Sequence, residues 1–138
     1  MVCFSVYAAG LAFNRLYRGL LEPFGLTYPQ FLVLVALQEK GPMKVGEIGD
    51  VLYLETNTLT PLLKRMEAMD LLTRTRDEND ERIVRIKVTK AGAKLTEEIG
   101  CIPPEVFKAT QMKAKKVASL TAKLNTLSAS LRHQSLTS

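Results

Sequence analysis

The stretch from Lys44 to Thr89 does most to limit what this chain can become. KVGEIGDVL (44–52) is a short helical segment, and a brief turn follows it. TNTLTPLLKRMEAM (56–69) then places Leu59, Leu62, Leu63, Met66 and Met69 on one helical face. Pro61 removes a backbone hydrogen bond beyond the first turn, so a local distortion is expected near the start of that helix. TRTRD (73–77) and IVRIKVT (83–89) alternate as strands do and are joined by the turn ENDER. In the second strand Val84, Ile86 and Val88 face one side, and Arg85 and Lys87 the other. A short helix, a tight turn, a second helix and a basic ribbon, in that order, is the layout of a winged helix-turn-helix.

The flanks complete the plan. Across residues 2–21, Val2, Val6, Ala9, Phe13, Leu16 and Leu20 are spaced three or four apart and make one apolar stripe that should end near Pro23 and Gly25. Residues 28–39 form a second helix with Thr27 as N-cap and Pro29 in its first turn. It is apolar over most of its circumference, which marks it as central, and Gly41 and Pro42 end it. Thr89 caps a helix over 90–99 that Cys101 and Pro103–Pro104 break.

From about Glu105 onward the pattern reads as one regular segment with a stripe of Ala114, Val117, Leu120, Leu124, Leu127 and Leu131. Lys108, Lys113, Lys115, Lys116, Lys123 and Arg132 surround that stripe, and no acid follows Glu105. The first and last helices are expected to pack on each other and on a second subunit. The expected architecture is therefore mainly α with a small antiparallel β-wing. A winged-helix lobe covers about 28–89, and dimerisation helices cover about 1–27 and 90–138 of a single 138-residue subunit.

Composition narrows the function classes. Apolar residues make up 46% of the chain, enough for a packed core, and the net charge of +5 permits a polyanionic partner without requiring one. The two cysteines lie in no paired-spacing motif, which argues against a disulfide scaffold or a zinc cluster and suits a reducing compartment. No apolar run reaches the roughly 18 residues of a membrane span, and the start lacks the basic n-region of a signal peptide. A cytoplasmic protein without membrane association is expected. The lone histidine, His133, lies in a polar tail, and no metal or nucleotide motif is present, so neither metal nor cofactor is expected.

Double-stranded DNA fits this layout. Thr56, Asn57, Thr58 and Thr60, at the start of the second helix of the motif, offer hydroxyls and an amide to base edges, while Lys64 and Arg65 suit phosphates. Arg82 at the ribbon tip can enter a narrow minor groove, with Arg74, Arg76, Arg85 and Lys87 along the phosphate path. The plain alternative is a solvated charged surface, since Asp77, Glu78, Asp80 and Glu81 share the ribbon. One or two of these acids, Asp77 and Asp80 foremost, are expected to pair with Arg82 or Arg76 and hold the wing arginine in place.

LTYPQFLVLVAL and TLTPLLKRMEAMDLLTRTRDENDERIVRIKVTKAG closely resemble the MarR family of winged-helix regulators, and CFSVY points within it to the organic-hydroperoxide-sensing repressors, OhrR. The likeness runs from Cys3 to about residue 110. It implies a homodimer that binds a pseudo-palindromic operator when reduced and lets go when an organic hydroperoxide oxidises Cys3. It also implies that tyrosines of both subunits donate to the Cys3 sulfur; the matching positions are Tyr7 and Tyr17, with Tyr28 as a third.

The residues agree with that implication. Cys3 and Tyr7 are one helical turn apart, and a thiol in a helix's first turn feels the positive end of the dipole. The plain reading makes Cys3 a small packed hydrophobe and the tyrosines ordinary core or interface aromatics. The resemblance further implies a second cysteine that forms an intersubunit disulfide. Cys101 stands a few residues short of that place, near Lys108, so the oxidised sulfur ends as a sulfenate, as a mixed disulfide, or bonded to Cys101 of the other subunit. Family members carry a longer arm before the cysteine, so the first helix is expected to fray. Two other functions remain open: a regulator of this type released by a small aromatic ligand, and a thiol peroxidase using Cys3 as nucleophile.

Overall fold

The computed structural model describes residues 1–137, with side-chain surroundings through Gln134; Ser138, the end of the expected dimerisation segment, lies outside the described residues. The chain divides into two compact units, one up to Ile102 and one from Pro103 onward.

The first unit opens with α1 (Val2–Leu21), a regular helix from Val2 with no frayed turn. Of its twenty residues only Leu21 is buried. A 3₁₀ turn over Glu22–Phe24 ends on Gly25 at φ 68°, a left-handed position that glycine takes without Cβ strain. The chain then enters α2 (Tyr28–Lys40) through a full capping box: the Thr27 hydroxyl accepts from the Gln30 amide and the Gln30 side chain accepts from the Thr27 amide. Phe31, Val33, Leu34, Ala36 and Leu37 are buried on several sides of this helix, which makes it the centre of the unit. Truncating one of these, as in Leu37→Ala, should cost about 2–5 kcal/mol.

Around α2 lie α3 (Val45–Leu52), α4 (Thr56–Ala68), strands β2 (Leu72–Arg76) and β3 (Val84–Val88), and α5 (Lys90–Glu98). The ribbon is wider than the sequence suggests. Met43–Lys44 forms a strand, β1, that pairs antiparallel with β3 (Met43 opposite Ile86), so the sheet has three strands in the order β1-β3-β2. Two residues are too few for alternation to reveal, and the side chain of Met43 is instead fixed by burial in the core. In β3 only Ile86 is fully buried, with Val84 and Val88 half-buried on its side and Arg85 and Lys87 exposed on the other.

Two further expectations change. Pro61 lies inside α4, yet that helix is continuous from Thr56 to Ala68. Pro61 is exposed, while Leu59, Leu62, Leu63 and Met66 are buried, so the burial of that face holds the helix together despite one missing backbone bond. At the C-terminal end there are two helices, α6 (Ile102–Ala109) and α7 (Ala114–Thr137). Pro103 and Pro104 open α6, where a missing amide hydrogen costs nothing. The break comes instead at Gln111, whose φ of 55° is incompatible with a helix, and the Thr110 hydroxyl bonds the Phe107 carbonyl there.

One small lock joins the wing to α5. The Thr89 hydroxyl donates to the Asp70 carbonyl at 2.6 Å and accepts from the Gly92 amide at 2.9 Å. The Thr89 amide reaches the Leu71 carbonyl. A Cβ on Gly92 would collide with that same Leu71 oxygen and with Val88, so only glycine fits.

Candidate functional site

The reading end of the molecule begins at the turn between α3 and α4. Tyr53 ends α3 at φ 56°, and the Leu54 amide returns to the Gly49 carbonyl. A Cβ on Gly49 would come within 2.7 Å of the Leu54 oxygen, so glycine sets how tightly the two helices approach. The buried face of α4 fixes its rotation, which leaves Thr56, Asn57, Thr58, Lys64 and Arg65 exposed and Thr60 half-exposed. No side chain caps this helix, so its first amides remain available to an anion.

The wing is braced from within. Asp80 grips Arg82 through a two-pronged contact, Nε to Oδ1 and Nη2 to Oδ2, both 3.1 Å, and also accepts from the Arg82 amide. The Arg82 side chain is nonetheless 91% exposed, held outward and not tucked away. Those Arg82 bonds, side chain first and then backbone, hold the Asp80 carboxyl below its ordinary range.

Asp77 pairs with Arg85 (Nε–Oδ2 2.8 Å), and not with Arg76 or Arg82 as expected. It also accepts from the Asn79 amide at 2.9 Å, and that bond, followed by Arg85, lowers its pKa. Strand register explains the pairing, because Thr75 faces Arg85 across the ribbon and Asp77, two residues on, follows directly after β2. Arg76 instead donates to the Glu81 carbonyl across the loop. Arg74 is also placed differently: it is half-buried, on the inward side of β2 with Leu72.

The residues grouped by the resemblance fall into two places. Cys3 and Tyr7 lie exposed on α1, and neither side chain has a hydrogen-bond partner among the described residues. Tyr17 stacks on Tyr28 with ring centroids 4.1 Å apart and planes 10° from parallel, and it also meets Phe31 and Phe13. Burial raises both phenol pKa values, helped at Tyr17 by Tyr28, so both stay protonated donors well beyond neutral pH. Fourteen residues of helix separate Cys3 from Tyr17, about 21 Å at 1.5 Å per residue. The two groups therefore do not meet within one subunit. Cys101 is exposed in a 3₁₀ turn, with its thiol toward the Glu98 carbonyl at 3.6 Å. His133 is exposed.

Sequence reasoning missed β1, the Asp77–Arg85 pair and the tyrosine stack. Only the pair left a signal, an acid and a base on the two arms of the ribbon, with Asp77 two residues beyond the Thr75 that faces Arg85. Among the described residues no group of three or more His, Cys, Asp or Glu could hold a metal ion, and no single helix is long and apolar enough to cross a membrane.

A helix-turn-helix with its second helix exposed at the amino end, followed by a braced arginine wing, defines a winged-helix transcriptional regulator. The chain belongs to the MarR/SarA family of these regulators; the family described as transcriptional regulator SarA/Rot matches residues 15–99. It is 40% identical to the organic hydroperoxide resistance transcriptional regulator of Bacillus subtilis over 91% of this chain and 86% of that protein. It is 50% identical to the HTH-type transcriptional regulator TtmR of Methylorubrum extorquens over 80% of this chain, and spans 57% of TtmR's length. Among solved structures, reduced AbfR of Staphylococcus epidermidis bound to DNA aligns with TM-score 0.77 and 32% identity, over 94% of this chain and 91% of that one. A disulfide form of AbfR aligns with TM-score 0.66 and 35% identity, over 91% and 88%.

Proposed function

We propose that this protein is a homodimeric, redox-sensing repressor of the cytoplasm that releases a pseudo-palindromic DNA operator when an organic hydroperoxide oxidises Cys3. The observation that carries the reading is the separation on α1. A reactive residue type and a tyrosine sit on an uncovered helix face, and the half-buried Tyr17, stacked on Tyr28, lies about 21 Å further along the same helix. Two such helices crossing antiparallel would bring Cys3 of one subunit to Tyr17 and Tyr28 of the other. The exposed Val2, Phe4, Val6 and Phe13 give that crossing an apolar seam. The naming of the B. subtilis relative and the AbfR disulfide form support the same chemistry.

In the proposed reaction the Cys3 thiolate attacks the outer peroxide oxygen. An S–O bond forms, the O–O bond breaks, and the alkoxide leaves and takes up a proton as the alcohol. Cys3 is now a sulfenic acid. The Cys101 thiolate of the other subunit can then attack its sulfur, forming the S–S bond and expelling the oxygen as water. Either product removes the anion to which Tyr7, Tyr17 and Tyr28 would donate. A hundredfold loss of DNA affinity needs about 2.7 kcal/mol, within reach of a few charge-assisted hydrogen bonds. Peroxide is consumed once per switch, so the protein acts as a sensor and not as an enzyme.

On the DNA, Thr56, Asn57, Thr58 and Thr60 would meet base edges, Lys64, Arg65, Arg74 and Arg76 phosphates, and Arg82 the minor groove. The test is a gel shift with reduced protein. Organic hydroperoxide should release the wild type and leave Cys3→Ser bound; release of Cys3→Ser to the same extent sinks the sensor assignment. Non-reducing electrophoresis then sorts the product: a covalent dimer lost in Cys101→Ser means a disulfide, and its absence means a sulfenate or a mixed disulfide.

A second reading rests on one groove of about 640 Å³ beside Tyr28, lined by Asn14 and Arg18 of α1, Glu22 of the 3₁₀ turn and Gly25 to Pro29. An aromatic ligand bearing a negative charge could stack there and pair with Arg18. Release that needs no oxidant and survives removal of both cysteines would favour it.

A further inference from the structure

Gly10 sits in the middle of α1, where a glycine weakens a helix relative to alanine. Nothing in its own chain calls for it. Its φ is not positive, and a Cβ built on it would meet no atom within 4 Å among the described residues. Gly49 and Gly92, by contrast, are each pressed against a backbone carbonyl.

Its place along the helix is what distinguishes it. Gly10 lies seven residues after Cys3 and seven before Tyr17. Seven residues fall within about 20° of two full helical turns, so all three share one face of α1. Val6, Tyr7, Phe13 and Asn14 lie within about 60° of the centre of that face. Every one of these residues except Tyr17 is exposed, and none is charged.

A two-fold contact between copies obeys a simple rule: where residue i meets residue j of the partner, j also meets i. If Cys3 of one subunit meets Tyr17 of the other, the two helices run antiparallel and facing positions add to 20. Tyr7 then falls opposite Phe13, one aromatic against another, and Val6 opposite Asn14. Position 10 falls opposite itself. Elsewhere along the seam side chains can interleave, but on the axis a side chain would meet its own copy head-on. Helices packed about 8–10 Å apart, with Cα atoms about 2.3 Å from each axis, leave facing Cα atoms only about 3–5 Å apart. That gap admits two glycines and excludes two long side chains.

We propose that Gly10 is the positioning residue of the redox switch. It lies on the dimer axis, lets the two α1 helices approach there, and so sets the distance from Cys3 to Tyr17 across the interface. This rests on the redox reading and deepens it: the depth of contact at the axis governs how closely a tyrosine of one subunit approaches the sulfur of the other.

Thiol cross-linking reads the axis directly. In Cys3→Ser/Cys101→Ser protein, Gly10→Cys should give a covalent dimer on mild oxidation, since a disulfide needs Cα atoms roughly 4.4–6.8 Å apart. Asn14→Cys, on the same face, should not, because its two copies lie about 12 Å apart along the helices. Asn14→Cys linking as fast as Gly10→Cys overturns the proposal. Tyr17→Cys, with Cys3 kept and Cys101→Ser in place, should also link. Linking through Tyr17→Cys but not through Gly10→Cys puts the axis elsewhere and leaves the redox reading intact. If only Gly10→Cys links, the positioning role fails, and if neither links, both readings fail.

The positioning role is read at Cys3 itself. Alanine and leucine are better helix formers than glycine, so a glycine of no consequence would give way to a firmer α1 with unchanged chemistry. Gly10→Leu should instead slow oxidation of Cys3 by organic hydroperoxide about ten- to hundredfold, at concentrations where sedimentation still gives a dimer. Gly10→Ala is a smaller wedge and should slow it less. A wild-type rate in Gly10→Leu dimers, or in Gly10→Ala where leucine gives none, overturns the proposal.

Discussion

The wing and the first helix handle their exposed groups in opposite ways. In the wing, Asp80 holds Arg82, Asp77 holds Arg85, and Arg76 holds the Glu81 carbonyl, all within ten residues of chain. Along α1, Val2, Phe4, Val6, Tyr7 and Phe13 remain exposed, and Cys3 sits among them with no partner. The wing is completed within its own chain, and on the proposed reading α1 is completed by a second subunit. A surface that must recognise DNA gains from being rigid beforehand. A surface that must change state gains from being assembled by a contact that oxidation can alter. On this view the division between self-completed and borrowed structure is also the division between reading and sensing.

The strongest way to break the contrast is to charge the α1 face. Val6→Asp should turn a dimer into monomers in sedimentation. With two linked lobes separated, DNA affinity should fall at least about a hundredfold, or 2.7 kcal/mol. The reading lobe should keep its helical circular dichroism. If it unfolds along with the dimer, the lobe is not self-completed and the contrast fails. Gly92→Ala attacks the other side. The collision with the Leu71 carbonyl should cost about 1–3 kcal/mol in denaturant unfolding without changing the association of the folded protein. A fully tolerated alanine would mean that the lock at Thr89 is not a close approach.

What the sequence disclosed follows the same line. Periodicity and end signals located α1 to α5 within a residue or two: α2 and α4 bury apolar faces that the residues make visible, α1 carries an apolar stripe although nearly all of it is exposed, and Thr27 and Thr89 announced the helix starts that they cap. They did not locate β1, which is held by pairing with β3 over two residues, nor the break at Gln111, which depends on a backbone torsion at a residue that ordinarily continues a helix. At the wing, composition said that acids would brace arginines, but strand register decided which, and so Asp77 went to Arg85. The tyrosines came from the resemblance alone. Nothing in their spacing told that Tyr17 would stack on Tyr28, eleven residues away, through a turn set by Gly25.

Smaller effects sharpen the wing itself. Arg82→Ala should weaken operator binding by about tenfold or more with no loss of dimer, measured at matched salt. Unchanged affinity would remove Arg82 from the contacts. Asp80→Asn should give only a few-fold loss, because the arginine remains and loses its guide. If Asp80→Asn equals or exceeds Arg82→Ala, the acid does something other than aim the arginine.

The smallest expected effect is with pH, and its sign is fixed by Asp77 and Asp80. Both carboxyls are held below the ordinary 3.8 by bonds made only in the folded wing, so their contribution is complete above the unfolded pKa and is lost as pH falls through the lower folded one. Between about pH 5 and pH 8 neither group changes charge, and the affinity ratio of wild type to Arg82→Ala should stay level across that range. Tyr17 and Tyr28 work from the other end. Their pKa values lie above 10.0, so what they add is fully present below 10.0 and fades as pH rises through the folded values. The wing should therefore fail first in acid and the tyrosine stack first in alkali. A ratio that drifts by more than about twofold near neutrality would place a titrating group at the wing that its geometry does not contain.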